Sequence, residues 1–178
     1  MDENESWFET AWEKLNEDYK KGGFTPRGES DIMCHLYSKL LQTKNWRLDD
    51  RRDVLTCYGY KLPNHDKRSH VDLVIGEWER KDFRIHIAIE IKESGHNLGG
   101  KEFNKLKSLR ERYLKRDLKK LEEVGRKEKK NSNCIKKYMI FFFSKRFQNE
   151  KEKAIPEPYR KKLEAIRQGD IVFKWGPC

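Results

Sequence analysis

Four side chains carry the chemistry that spacing suggests: Glu29, Asp72, Glu90 and Lys92. Glu90 and Lys92 belong to RIHIAIEIK, residues 84–92, where Ile85, Ile87, Ile89 and Ile91 take every second position. A period of two marks a strand with unlike faces, so this carboxylate and ammonium point the same way. They stand at the C-terminal end of that strand, where α/β folds often keep their chemistry. Asp72 lies 18 residues earlier, inside the apolar run HVDLVI, residues 70–75. A lone carboxylate there is unfavourable unless it is paired or binds a metal. A buried salt bridge to one of the many Arg or Lys is the structural alternative. Glu29 opens ESDIMCHLYSKLLQT. At about 100° per residue it aligns with Ile32, Met33, Leu36 and Leu40, whereas Asp31 falls on the opposite, solvent side. The helix dipole favours an acid in a first turn but does not explain that alignment.

Carboxylates and a lysine at adjoining strand ends have a direct use. Hard divalent ions such as Mg²⁺ take carboxylate oxygens, carbonyls and water. Such ions neutralise a phosphodiester and lower the pKa of a bound water. A lysine alongside orients the attacking water, or helps deprotonate it, and offsets charge on the phosphate.

These groups need a scaffold, and the chain spells one out. Residues 4–20 read as a helix with a Ser6–Glu9 capping box and the stripe Trp7, Phe8, Ala11, Trp12, Leu15, Tyr19. Gly22 and Gly23 end it. A second helix covers 29–43. A strand is expected around 54–58, then strands 70–75 and 84–92 joined by a connection short enough for an antiparallel hairpin. Folding near residue 81 sets Asp72 opposite Glu90. His86 falls on the Glu90 face. A long helix is expected over 101–124, with Asp117 inside its apolar face and Arg110 beside it, in a supporting role. Its other face carries Lys105, Lys115, Arg116, Lys119 and Lys120. That is a solvated face or, beside an acidic centre, one that tracks phosphates. His96, in the loop SGHNLGG, is placed to touch a phosphate. A buried strand within 134–144 completes a strand–helix–strand crossover, so it should run parallel to its neighbour. A short helix over 156–166 and a strand over 171–175 follow.

The balance of 40 Lys and Arg against 30 Asp and Glu leaves a net charge of +10, which points toward a polyanion, nucleic acid first, or toward solubility alone. Cys34, Cys57, Cys134 and Cys178 show no C-x-x-C pair and read as reduced thiols of an intracellular, cytoplasmic protein. The acidic start MDENES does not resemble a signal peptide, and no apolar run reaches membrane-spanning length. No phosphate-binding G-x-x-x-x-G-K-[ST] loop is present. The length of 178 residues fits one domain: an N-terminal helix over 1–23, a core over 25–145 and a terminal helix and strand over 146–178.

Glu29 on the first core helix, Asp72 in one strand and Glu90-Ile91-Lys92 in the next together resemble the PD-(D/E)XK nuclease superfamily. That group includes restriction endonucleases and archaeal Holliday-junction resolvases. The resemblance implies an α/β fold with an αβββαβ core, a mixed central sheet flanked by helices. It implies a Mg²⁺-dependent endonuclease acting on DNA, with Mn²⁺ as a substitute and a homodimer where two strands are cut. Asp72, Glu90 and the Ile91 carbonyl would hold the metal, Lys92 would position or activate the water, and Glu29 would act as a ligand directly or through water. Val71 stands where the family name has proline, which leaves the subfamily open. Two other readings start from the same residues. One is a basic module that holds nucleic acid or scaffolds a complex without cutting. The other is a carboxylate–metal enzyme for a smaller phosphorylated substrate.

Overall fold

The computed structural model describes residues 2–44, 51–61, 68–93, 114–124, 135–142, 161, 164–165 and 170–176. It is a mixed α/β structure around one five-stranded sheet in the order β1-β2-β3-β4-β5. In chain order the elements are α1 (Glu3–Lys20), α2 (Glu29–Thr43), β1 (Arg52–Lys61), β2 (Arg68–Glu79), β3 (Asp82–Glu93), the helical segment α3 (114–124), β4 (Lys136–Phe142) and β5 (Ile171–Gly176). β1–β2 and β2–β3 are antiparallel, whereas β3–β4 and β4–β5 are parallel. The parallel β3–β4 pair agrees with the crossover expected from strand, helix, strand. Of the expected helix over 156–166, only residues 161 and 164–165 are described, and these are helical.

Two apolar layers cover the sheet. On one face, Trp7, Phe8, Trp12, Leu15 and Tyr19 of α1 and Ile32, Leu36 and Leu40 of α2 pack on Ile87, Ile89, Ile91, Tyr138, Ile140 and Phe142. On the other, Leu114, Leu118, Leu121 and Val124 of α3 pack on Ala88, Met139, Phe141 and Phe173. β3 and β4 are therefore covered on both faces, as parallel strands usually are. α1 begins one turn earlier than its Ser6–Glu9 pattern suggests. Asp2 is the N-cap, its carboxylate accepting from the Asn4 N–H at 3.1 Å. This start places Glu3 and Glu5 in the first turn, where the helix dipole favours acids. The Trp7 indole N–H donates to the Leu40 carbonyl at 2.8 Å and locks α1 to the end of α2.

α1 is also tied along its length to the sheet. Glu3 pairs with Arg52 of β1, Glu5 accepts from the Tyr138 hydroxyl of β4 at 3.1 Å, and Glu9 meets Lys174 of β5 at 2.5 Å. At the far end of the sheet, a tight turn through Arg80, whose φ is +59°, joins β2 to β3. Pairing then runs Glu79↔Asp82 to Gly76↔Ile85, jumps to Ile75↔Ile87 and continues to Leu73↔Ile89. His86 is the extra residue of a β-bulge. The bulge reverses which side each residue faces. Ile85 packs with Phe83 and Ala88 in the α3 layer, whereas Ile87, Ile89 and Ile91 pack under α1 and α2. The unbroken alternation expected for all four isoleucines is corrected accordingly, and His86 turns to Glu77 at 3.1 Å, away from Glu90.

Candidate active site

Asp72 sits where the β2–β3 ladder stops. Past the last pair, Leu73↔Ile89, its carboxylate replaces the backbone and accepts the Ile91 N–H at 2.7 Å. Extending the register by one step sets Asp72 across from Glu90. Glu90 is 0% exposed and Lys92 follows two residues on, near the strand end. Glu29, at the first position of α2, reaches the same end of the sheet and comes within 3.6 Å of the Lys92 ammonium. Glu29 is half exposed and heads toward the sheet end, not into the core stripe of its helix.

α3 contributes two further groups. Asp117, 2% exposed, meets Lys92 through Oδ2 at 3.0 Å and Lys120 through Oδ1 at 2.8 Å. Lys120 meets Glu90 Oε1 at 2.6 Å, and Glu90 Oε2 lies 3.8 Å from Lys92. The result is a closed ring, Glu90–Lys92–Asp117–Lys120, in which each carboxylate turns one oxygen to each lysine. Lys120 also donates to the His70 carbonyl of β2 at 3.0 Å, beside its hydrogen bond to Glu90 Oε1.

Sequence reasoning put Lys120 on the solvated face with Lys115, Arg116 and Lys119. Those three are exposed, but Lys120 is buried. The signal was present in the i,i+3 spacing from Asp117, which places Lys120 at the margin of the Leu118–Leu121 stripe. Asp117, expected to pair with Arg110 or a strand residue, meets Lys92 of β3 and Lys120 of its own helix. Arg110, Lys105 and His96 lie outside the described residues.

Charge in the site is unevenly held. Burial foremost, then the nearby Asp72 charge, pushes the Glu90 carboxyl up to about 8 against the pull of Lys120 and Lys92. Burial also raises Glu29, with Lys92 opposing. For Lys92, burial works against the ammonium but is outweighed by Asp117, Glu29 and Glu90, so its pKa moves upward. Asp117 likewise loses solvation on burial, yet Lys92 and Lys120 hold it below its ordinary value. With every group ionised, four carboxylates (Glu29, Asp72, Glu90, Asp117) face two ammonium groups (Lys92, Lys120), a formal surplus of two negative charges.

That surplus and the donor chemistry fit a hard divalent cation. Glu90 Oε2 is buried with no hydrogen-bond partner among the described residues. Among the described residues no three His, Cys, Asp or Glu groups converge to enclose a metal by themselves. Mg²⁺ commonly keeps several waters and takes only one or two carboxylates, so Asp72 and Glu90 suffice as protein donors. No protein family, curated protein or solved structure matches the chain.

Proposed function

We propose that this protein is a Mg²⁺-dependent endonuclease that hydrolyses DNA phosphodiester bonds on a PD-(D/E)XK-like core. The observation that carries the reading is the meeting of Asp72, Glu90 and Lys92 at adjoining strand ends, with Glu29 beside Lys92. Asp72 and Glu90 hold the cation, with the Ile91 carbonyl as a further donor and Glu29 contributing directly or through water. The bound cation supplies charge neutralisation at the phosphate and a more acidic water. With its pKa raised by Asp117, Glu29 and Glu90 against the effect of burial, Lys92 is suited to act as a donor that orients the attacking water and a phosphate oxygen more than as the base. The exposed Lys115, Arg116 and Lys119 supply positive charge toward the nucleic-acid backbone. A homodimer is the arrangement that cuts both strands of a duplex.

The test is cleavage of labelled single-stranded, duplex and branched DNA with Mg²⁺, Mn²⁺ or EDTA, comparing wild type with Glu90→Ala. Metal-dependent products that vanish in the variant support the nuclease. One observation favours a second reading, a basic module that binds nucleic acid without cutting: Lys92 and Lys120 already pair with the site carboxylates. That module binds in a salt-sensitive way indifferent to Mg²⁺, and Glu90→Ala leaves it unchanged.

A further inference from the structure

α3 meets the sheet where the β2–β3 ladder ends, and it brings an acid and a base against an acid and a base of β3. Lys120 is the junction. Its ammonium reaches three separate elements: it donates to the His70 carbonyl of β2 and to Glu90 Oε1 of β3, and it is ion-paired with Asp117 Oδ1 of its own helix. Each contact is 3.0 Å or shorter, and Lys120 is 9% exposed. A lysine that only soaked up surplus charge would need one carboxylate and a path to water. This one is held by two hydrogen bonds and an ion pair, and both of its carboxylate partners also meet Lys92. The consequence for Glu90 is directional. With Oε1 held by Lys120, Oε2 is the oxygen left without a hydrogen bond among the described residues. The consequence for Lys92 is similar, since Asp117, held by Lys120 through one oxygen, draws the Lys92 ammonium to 3.0 Å with the other.

We propose that Lys120, with Asp117, is the positioning device of the active site: it fixes one oxygen of Glu90 and presents the other to the divalent cation, and through Asp117 it sets Lys92. This rests on the nuclease reading above. Lys120 touches neither substrate nor cation. As a fixed positive charge close to the cation's carboxylate, it weakens metal binding while it makes the bound arrangement productive. The two effects oppose each other, and that separates positioning from simple structural support.

The experiment compares wild type with Lys120→Met in three measurements: thermal melting, Mn²⁺ binding without DNA (free Mn²⁺ followed by electron paramagnetic resonance), and cleavage at saturating Mg²⁺. The expected result is cleavage slowed by about tenfold or more, with Mn²⁺ bound as tightly as by wild type or several-fold tighter. If Lys120→Met does not fold, Lys120→Gln, whose amide has two N–H donors for three acceptors, carries the same comparison and the same expectation. A folded variant that cleaves within about twofold of wild type overturns the positioning role and leaves the nuclease standing. So does a parallel loss of Mn²⁺ affinity and cleavage, which marks a structural prop. Wild-type protein that neither binds Mn²⁺ nor cleaves any DNA overturns the nuclease reading itself, and this inference with it.

Discussion

Lys92 keeps its charge in spite of its burial, because Asp117, Glu29 and Glu90 surround it. On the proposed reading, a lysine whose pKa is raised orients and neutralises, so its removal should strike the chemical step and not nucleic-acid affinity. Asp72→Ala, Glu90→Ala and Lys92→Ala should each lower cleavage by roughly a hundredfold or more, with DNA affinity changed only a few-fold, read by single-turnover cleavage and a binding titration. Glu90 makes a second prediction. Its carboxyl is raised from 4.5 to about 8, chiefly by burial. The folded protein therefore retains a proton that the unfolded chain releases, so this stabilising contribution is full below about pH 4.5 and is lost as pH rises through about 8. Metal-free wild type should melt at progressively lower temperature from about pH 5 to 9, and Glu90→Gln, whose amide never ionises, should show a flatter profile. On the proposed reading, a cation bound at Glu90 would displace the same proton, so Mn²⁺ affinity should rise with pH up to about 8 and then level off. At this scale Asp72, Glu90 and Lys92 were legible because strand spacing shows where side chains point. Lys120 was not, because a lysine one step off an apolar stripe reads as solvated until its buried partners are known.

Among the elements, the β2–β3 hairpin decides whether a site exists. Its turn is centred between Arg80 and Lys81, and pairing nearest the turn would set Asp72 across from Ile89. The bulge at His86 moves the register by one and gives Asp72 and Glu90 the same face. Gly76 makes that bulge possible, since a Cβ there would collide with the Arg84 carbonyl oxygen and come within 2.9 Å of the Phe83 ring. Gly76→Ala should cost on the order of 2–4 kcal/mol in denaturant unfolding. In variants that still fold, it should also reduce cleavage, although residue 76 lies at the opposite end of the hairpin from Lys92. The hairpin's existence was readable from two apolar strands and a short connection. The near-opposition of Asp72 and Glu90 was also readable, because a midpoint near 81 and a bulge displace the register by almost the same amount. The bulge itself was hidden: the isoleucine alternation continues straight through it, and only Gly76 in a strand hinted at a close backbone approach. The bounds of α2 were legible in full and those of α1, expected over 4–20, to within one residue, although Asp2 and not Ser6 caps it.

For the whole molecule, the net charge of +10 bears on the proposed binding of nucleic acid. Affinity should fall by about tenfold or more between roughly 50 and 200 mM salt, for wild type and Glu90→Ala alike, because phosphate contacts release counterions whether or not the site is intact. Among the described residues no helix is long and apolar enough to cross a membrane. Phe8, 0% exposed and tilted against Tyr138 at 4.6 Å, anchors α1 over the sheet, and Phe8→Ala should cost about 3–5 kcal/mol. The way α1 straps the sheet also bears on how the protein reaches its native state. The partners of Glu3, Glu5 and Glu9 follow α1 by 49, 133 and 165 positions. Loops of that length must close before the contacts repay them, so the layer beneath α1 completes late and slowly. Until β3 and β4 are in place, Trp7, Phe8, Trp12 and Leu15 wait as an apolar ridge without its sheet. At high concentration, refolding chains should find one another through that ridge before each finds its own sheet.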